Sequence, residues 1–289
     1  LRAPPRPSRG AGSVPKIYSA LAGDGSPGRW GEPMFREMPG IGSHEVVIET
    51  PRHNGRMDEM SPEAVARVVR VWRERYRALI AGPDVRAVVV FKNFGTLAGT
   101  SLTHPHSQIV ATPVYLPRLL RRLVVATRYS DENGACVYDE LIQAEVRAGV
   151  RMVEEVGGFV AFEPWAAQTP FETWIAPTFH QGSFGDLADE AMGDLAEVLI
   201  RTLAAVRRAC GDPDYNLVMY SAATNGGHAE QVFHWHLKLI PRISTQAGFE
   251  IGCHTYSHVR LDTGDRAASM EDIAPAKRVL EDVAGVPVV

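Results

Sequence analysis

The sequence has few cysteines, no long apolar run and little net charge, and each shortage excludes a class of protein. Its three cysteines, Cys136, Cys210 and Cys253, lie far apart, which argues against a disulfide framework and against a Cys-x-x-Cys zinc site. No apolar run approaches the roughly 20 residues of a membrane span, and no signal peptide opens the sequence. The formal net charge is -4, so bulk charge does not favour nucleic acid. We expect a cytoplasmic protein that binds neither nucleic acid nor membrane.

Histidine is plentiful by comparison, because ten of the 289 residues are histidines and most fall in short motifs. Around them, hydrophobic periodicity predicts two sets of elements in the same strand–helix–strand–strand order. The first set is Glu45–Thr50, a helix from Pro62 to Ile80, Arg86–Lys92 and Ser107–Thr112. The second set is Glu172–Ala176, a helix from Asp186 to Cys210, Tyr215–Tyr220 and Val232–Ile240.

The histidines repeat along with the elements. His53 and His180 follow the first strand of each set and lie 127 residues apart. The His104/His106 pair and the His234/His236 pair close the two sets, and they are 130 residues apart. This pattern predicts a duplication, with an N-terminal half over residues 1–128 and a degenerate C-terminal half over 129–289; chance is the alternative explanation.

The segment around His104 and His106 carries the chemistry. Two histidines at i and i+2 of an extended segment point to the same side, and Pro105 stiffens that geometry. A neutral imidazole is a good nucleophile toward phosphorus, because its ordinary pKa lies near neutrality. Gln108 faces the same side and can donate to a phosphoryl oxygen. By itself, His-x-His is equally consistent with a metal pair or a hydrogen-bonded polar cluster in a sheet.

In sequence context, this motif resembles a known family. His104-Pro105-His106-Ser107-Gln108, after Asn93-Phe94-Gly95 and Gly99-Thr100-Ser101, resembles the signature of galactose-1-phosphate uridylyltransferases, members of the histidine-triad (HIT) superfamily. Segments 42–53, 164–173 and 234–242 resemble further family segments in the same order. The resemblance implies an α+β fold of two HIT-like halves, with an antiparallel sheet and flanking helices.

The resemblance also implies roles for individual residues. His106 would attack the α-phosphorus of a nucleotide sugar and hold the nucleoside monophosphate covalently, and a phosphorylated small-molecule acceptor would then remove it, giving ping-pong kinetics. Gln108 would hold a nonbridging oxygen. The implied ligand-binding residues are Tyr18 near the nucleoside and Asn93, Gly99, Thr100 and Ser101 around the phosphates. Related enzymes form dimers, so we expect a homodimer.

The resemblance implies two metal sites, but only some of the family's ligands are present in this sequence. His53 and His104 match two ligands of a structural zinc whose two cysteine ligands are absent here. His180, His234 and His236 match three ligands of a second metal site, where zinc or another divalent ion would bind. The glutamate that completes that site in the family is absent, and its neighbourhood holds Arg118, Arg121 and Arg122. The alternative is that these histidines are polar groups bonded within the sheet.

Other departures concern the substrate. Lys16 stands where the family has an asparagine near the nucleoside, and Ile251-Gly252-Cys253-His254 replaces a Gly-Tyr-Glu that reads sugar hydroxyls. Galactose is therefore not implied, and Tyr256, His258 and Arg260 form either a different polar pocket or a surface strand. The predicted function is nucleotidyl transfer. The alternatives are a nucleotide-sugar phosphorylase or nucleotide hydrolase of the same fold, and a non-catalytic nucleotide- or metal-binding protein.

Overall fold

A nine-stranded sheet, antiparallel at every pairing, forms the centre of the protein. The structure is a computed structural model that describes residues 11–16, 21, 28, 31, 34–35, 37–100, 102–222 and 227–243. The strands are β1 Gly12–Pro15, β2 Ser43–Ile48, β3 Ala87–Phe94, β4 His106–Thr112, β5 Met152–Val156, β6 Phe159–Phe162, β7 Thr173–Pro177, β8 Tyr215–Tyr220 and β9 His236–Pro241. The helices are α1 Pro62–Ile80, α2 Pro117–Asn133, α3 Val137–Ala148, α4 Met192–Cys210 and α5 His228–Val232. The α+β class with an antiparallel sheet and flanking helices is confirmed.

The eight predicted elements are present, with some shifted ends. Helix α1 begins at Pro62 because the Ser61 side chain accepts a hydrogen bond from the Ala64 N–H and caps the helix. The helix predicted from Asp186 begins only at Met192, because Phe184–Asp186 form a separate 3-10 turn. The strand predicted from Val232 begins at His236, because Val232 ends α5 and residues 233–235 connect that helix to the strand. Strands β1, β5 and β6 and helices α2, α3 and α5 were not predicted.

The strand order is symmetric about the centre of the sheet. From its edges inward it runs β1-β2-β4-β3 on one side and, beyond the β5 edge, β6-β7-β9-β8 on the other. One row of paired residues crosses six strands and reads Val46, Gln108, Phe91, Val218, Lys238, Trp174. Gln108 and Lys238 thus hold corresponding positions on either side of the Phe91–Val218 pair. This supports the predicted duplication, whose boundary after residue 128 falls inside α2 and stays a prediction.

The two faces of the sheet are packed differently. Helices α1 and α4 pack against each other, and their apolar faces share one large core with alternate strand residues such as Val90, Ile109 and Leu217. On the opposite face, α2 and α3 cover the strands of the second half, where Leu123 and Ile142 are buried. The described residues all belong to one unit, Leu1–Ile243. Among them, no helix combines the length and apolar character needed to cross a bilayer.

Candidate active site

His106 begins β4 and is oriented by the backbone. Its Nδ1 lies 2.8 Å from the His104 carbonyl oxygen, which can only accept, so Nδ1 carries the proton. The neutral ring therefore keeps its lone pair on Nε2. The residue is 5% exposed, and no described residue hydrogen-bonds its Nε2. A fixed tautomer with a free Nε2 is the arrangement that a nucleophilic imidazole requires.

Polar anchors on the core side of the sheet hold this part of β4. The Trp72 indole N–H donates to the Ser107 hydroxyl at 2.7 Å. The Lys92 ammonium donates to the His106 carbonyl oxygen at 3.2 Å and pairs with a carboxylate oxygen of Glu49 at 2.7 Å. Lys92 and Glu49 are both buried. Since breaking a buried pair leaves an uncompensated charge, these contacts are costly to lose and fix the backbone under His106.

Gln108 shares the face of His106, as the alternation along a strand requires. Its Oε1 lies 3.1 Å from the Lys16 Nζ and 2.9 Å from the His44 Nε2. An ammonium group can only donate, so the carboxamide oxygen must face Lys16, and His44 must also donate to it. Both N–H groups of the Gln108 carboxamide remain unused by the described residues.

Asn93 lies at the end of β3 and is oriented in a similar way. The Arg242 Nε donates to the Asn216 Oδ1 at 2.5 Å, and the Asn216 amide donates to the Asn93 Oδ1 at 2.8 Å. Because the guanidinium cannot accept, this chain of donors fixes both amides and leaves the Asn93 N–H groups as the outward donors. The Asn216 amide also donates to the Ala98 carbonyl at 2.9 Å, so it ties the following loop to the same network.

The loop after Asn93 needs two glycines. Gly95 has φ 85° and Gly99 has φ 82°, a region that L side chains rarely adopt. A Cβ on Gly95 would lie 1.8 Å from the Asp214 carboxylate, which accepts from the Leu97 N–H at 2.6 Å. Thr100 closes the turn with its N–H on the Gly95 carbonyl. Of the other predicted ligand-binding residues, Ser101 and Tyr18 lie outside the described residues, as do Tyr256, His258 and Arg260.

His236, the counterpart of His106, has the same tautomer but a different neighbour. Its Nδ1 donates to the His234 carbonyl at 3.0 Å, while its Nε2 accepts from Arg122 at 2.7 Å. The ring stacks on Trp174 and Tyr220, with centroid distances of 4.3 and 5.4 Å. Burial, aided by the charge of Arg122, holds the pKa of His236 well below its ordinary value. Both ring nitrogens are occupied, so His236 is not presented as a nucleophile.

His180 and His234 meet at one carboxylate. Their Nδ1 atoms lie 2.7 and 2.6 Å from the two oxygens of Asp139, and their Nε2 atoms donate to the carbonyls of Glu230 and Pro177. In a neutral ring with its proton on Nε2, the Nδ1 lone pair would face a carboxylate, so the geometry calls for either two imidazolium rings or a shared cation. Burial opposes ionisation of Asp139, but the two histidines outweigh it and hold its pKa below the ordinary value.

Cys136 lies beside two members of this cluster, Asp139 and His180, in a group that does not include His234. Its Sγ lies with ligand atoms of Asp139 and His180 in a group whose members are all within 4.8 Å of one another. The group combines thiol, carboxylate and imidazole, a donor set that suits zinc and similar ions. His236 points instead to Arg122 and does not join His180 and His234.

His53 and His104 also come together, as predicted. Their Nδ1 atoms are 3.2 Å apart, and the His104 Nε2 donates to the Thr50 carbonyl at 2.7 Å. A proton shared between the two Nδ1 atoms satisfies both rings without a metal. Within the described ranges, no third His, Cys, Asp or Glu forms a ligand group with them.

Comparison with known proteins places this geometry in a family. Residues 16–115 match the family model for the N-terminal domain of galactose-1-phosphate uridyl transferase. A galactose-1-phosphate uridylyltransferase of Thermotoga maritima is 29% identical over 227 residues, which are 78% of this chain and 70% of the relative. The chain belongs to the galactose-1-phosphate uridylyltransferase-like family. This agrees with the resemblance seen in the His104–Gln108 motif.

Other relatives extend the family beyond uridylyltransferases. An ADP-glucose phosphorylase of Arabidopsis thaliana is 32% identical over 222 residues, which are 76% of this chain. The chain spans 62% of that relative, less than two thirds of its length. A crystal structure of an ADP-glucose phosphorylase from the same plant, with bound ADP-glucose, matches with a TM-score of 0.74 and 28% identity, covering 84% of this chain and 75% of the other. The relatives therefore carry the names of two different activities, a uridylyltransferase and a phosphorylase.

Sequence reasoning missed four residues of these sites. Asp139 and Cys136 lie at the start of α3, and their i, i+3 spacing was the available signal. His44 had no assigned role, because the predicted strand began one residue later, at Glu45; in the structure His44 lies within β2, on the same face as Val46. Asn216 carries no motif and is identified only by its contacts.

Proposed function

We propose that this protein transfers a nucleoside monophosphate from a nucleotide sugar to an acceptor phosphate through a covalent intermediate on His106. In the first step, the Nε2 lone pair forms an N–P bond with the α-phosphorus. The bond from that phosphorus to the bridging oxygen breaks, and the sugar 1-phosphate leaves with the electron pair. In the second step, an oxygen of the acceptor phosphate attacks phosphorus, and the N–P electron pair returns to Nε2.

The observation that carries the proposal is the contrast in ring environment between His106 and its counterpart. His106 has its proton on Nδ1 and a Nε2 that no described residue occupies. Gln108 shares its face of β4, and Asn93 lies near the end of the neighbouring strand β3; donors already engage the oxygens of both amides. Such preoriented N–H groups stabilise negative charge that develops on phosphoryl oxygens. The cation of Lys16, beside Gln108, adds to that stabilisation.

The acceptor separates the proposed transferase from its alternative. Phosphorolysis would use inorganic phosphate as the second-step acceptor and release a nucleoside diphosphate, as the name of the plant relative implies for that protein. Transfer would use a sugar 1-phosphate and form a new nucleotide sugar. Both reactions share the first step on His106, so the residues above serve either one.

The test is to trap the intermediate. Protein is incubated separately with α-labelled ADP-glucose, UDP-glucose and UDP-galactose without acceptor, denatured, and assayed for acid-labile label, with His106→Asn as the control. We expect stoichiometric label on the wild type and none on the variant. Label on the variant, or none on the wild type with any of these sugars, would contradict the proposal. Adding phosphate or a hexose 1-phosphate then identifies the acceptor from the product.

For the cofactor, we propose that Asp139, His180, His234 and Cys136 hold a divalent metal ion, with zinc favoured by the thiol. The fit rests on two imidazole nitrogens that face one carboxylate, an arrangement that a cation satisfies. The ion would be structural, because these residues join the start of α3 to the segments after β7 and before β9. His53 and His104 stay a second, weaker proposal with two ligands.

The metal proposal has a stability readout. We expect about one zinc per chain by elemental analysis, and a chelator should lower the melting temperature of the wild type by several degrees. In Asp139→Asn, metal content should fall and the chelator should have little further effect. Metal-free wild type with an unchanged melting temperature in chelator would contradict the proposal.

The remaining expectations stay proposals. The described thiols Cys136 and Cys210 are free, which supports a reducing compartment such as the cytoplasm. We propose nucleotide sugars and phosphorylated acceptors as the small-molecule partners, and a homodimer as the assembly. Sedimentation analysis of the purified full chain tests the assembly.

A further inference from the structure

His44 has no role in the proposed reaction, and its neighbour Lys16 contributes only a positive charge beside Gln108. His44 lies on β2 and Lys16 directly follows β1. The Lys16 N–H donates to the His44 carbonyl at 2.9 Å, so the backbone ladder places the two residues side by side. Both side chains end on the same atom, the Gln108 Oε1, at 3.1 and 2.9 Å.

This contact decides how the Gln108 carboxamide is turned. A free glutamine side chain can present its oxygen or its NH2 group to a phosphate, and the oxygen would repel it. Lys16 can only donate, and a neutral His44 with its proton on Nε2 donates as well. Two donors on Oε1 therefore exclude the flipped amide and leave both N–H groups available on the other side.

We propose that His44 and Lys16 are positioning residues that lock the Gln108 carboxamide with its N–H groups toward the phosphoryl group on His106. The inference rests on the proposed covalent function. It assigns His44, rather than Gln108 alone, as a determinant of the rate of nucleotidyl transfer. Lys16 provides both a hydrogen bond to Gln108 and a positive charge beside the phosphate site.

The electrostatic surroundings of His44 agree with a donor that is neutral at pH 7. Burial, together with the charge of Lys16, lowers the pKa of His44, and the hydrogen bond to Gln108 opposes the shift. Lys16 is the charged group that faces the ring from the β1 side, while Gln108 faces it from β4 without charge. Removing Lys16 should therefore raise this pKa, and removing the Gln108 carboxamide should lower it.

A double-mutant cycle tests the proposal. His44→Leu, Gln108→Ala and the double variant are compared by single-turnover labelling of His106, with His44→Gln as the conservative variant that keeps an N–H donor. Loss of one preoriented donor to a developing oxyanion costs about 100- to 1000-fold. We expect Gln108→Ala to fall in that range. His44→Leu should slow labelling roughly tenfold or more with little change in substrate affinity, and His44→Gln should restore most of the rate.

The labelling rate of the double variant shows whether His44 acts through Gln108. If His44 acts through Gln108, adding His44→Leu to Gln108→Ala should cost less than about twofold more. Losses that multiply, or a His44→Leu variant as fast as the wild type, would overturn the proposal. Lys16→Met, which keeps side-chain length, should slow labelling at least as much as His44→Leu does, and part of its loss should persist in the Gln108→Ala background because the positive charge is removed as well.

A second measurement separates this proposal from the proposed function. Without any substrate, the His44 ring is titrated by NMR in the wild type, Lys16→Met and Gln108→Ala. We expect the pKa of His44 to rise in the first variant and to fall in the second. If the wild type takes no label but these shifts appear, the covalent function fails while the contact stands. If the pKa moves in neither variant, the positioning proposal is overturned, whatever the labelling shows.

Discussion

The two His-x-His segments share a backbone and differ in what surrounds it. In both, the second histidine begins a strand and donates Nδ1–H to the carbonyl two residues earlier. No described residue hydrogen-bonds the His106 Nε2, whereas the His236 Nε2 accepts from Arg122 and the His236 ring stacks on Trp174 and Tyr220. The two rings share a backbone setting and differ in what contacts Nε2, which is the difference on which the proposed nucleophilic role of His106 rests.

The residue two positions after each of these histidines, Gln108 or Lys238, also differs in its contacts between the two segments. Gln108 has its oxygen held by Lys16 and His44, which keeps its N–H groups available. Lys238, at the matching point of the sheet, is buried in an ion pair with Glu172 at 2.7 Å and donates to Gln168. Burial lowers the pKa of Lys238, although Glu172 opposes the shift. The polar group of Lys238 is thus paired within the protein, whereas the N–H groups of Gln108 make no hydrogen bond with the described residues.

The largest expected effect separates the two histidines. His106→Asn should lose nucleotidyl transfer by about 10000-fold or more, because no other group can form the N–P bond. His236→Asn should keep the rate of the covalent step within about tenfold of the wild type, since both of its ring nitrogens are hydrogen-bonded within the protein. Single-turnover labelling of both folded variants measures this. Comparable losses in the two would break the distinction between the halves.

A swap of the matching residue should have the next largest effect. Gln108→Lys places the residue of the second half beside the cation of Lys16 and beside His44. We expect labelling of His106 to slow by about 100-fold or more, because the oriented amide donor is lost. The reverse swap, Lys238→Gln, should leave the labelling rate nearly unchanged and reduce stability. Equal rates for Gln108→Lys and the wild type would contradict the role given to Gln108.

Removing the hydrogen bond from Arg122 to His236 should lower the free energy of unfolding rather than the rate of nucleotidyl transfer. Arg122→Met leaves the buried Nε2 without its donor, which costs about 1–3 kcal/mol in the free energy of unfolding. Arg121→Met, the exposed neighbour on the same helix, should change it by less than about 0.5 kcal/mol. Urea denaturation of both variants measures the difference. Equal values would mean that Arg122 is only a surface cation.

The smallest expected effect is a loss of stability in acid. The pKa of His236 is depressed in the folded state, so the unfolded chain, with a value near 6.5, binds the proton more tightly. The contribution of neutral His236 to the free energy of unfolding is therefore fully present above pH 6.5. It falls as the pH drops below that value, by about 1.4 kcal/mol per pH unit until the folded ring titrates. His44 contributes in the same direction. Denaturation between pH 7.5 and 5 should show the fall, and His236→Gln should reduce it.

The sequence was sufficient for the duplicated elements and for the motif, because both depend on local periodicity and spacing. Helices α2 and α3 were missed since they lie between the two predicted sets and have no counterpart that repeats them. Their absence from the prediction hid Asp139, which joins His180 to His234. Arg122 was noted where the family's glutamate is missing, but its contact with His236 was not predicted.

Side-chain partners across the sheet were also beyond sequence reasoning. The contact between Lys16 and Gln108 spans 92 residues, and the Asn216–Asn93 bond spans 123. Neither pair belongs to a motif, and both depend on the strand register. The substitution of Lys16 for an asparagine was visible in the sequence, but its contact with Gln108 required the fold.

The most direct test is to locate the nucleotide on the protein. Wild-type protein is incubated with each nucleotide sugar without acceptor, digested under alkaline conditions that preserve a phosphoramidate, and mapped by mass spectrometry. We expect one nucleoside monophosphate per chain, on the peptide that contains His106, and none on the peptide that contains His236. Turnover of a nucleotide sugar with His106 unmodified, or a nucleotide on His236, would contradict the account.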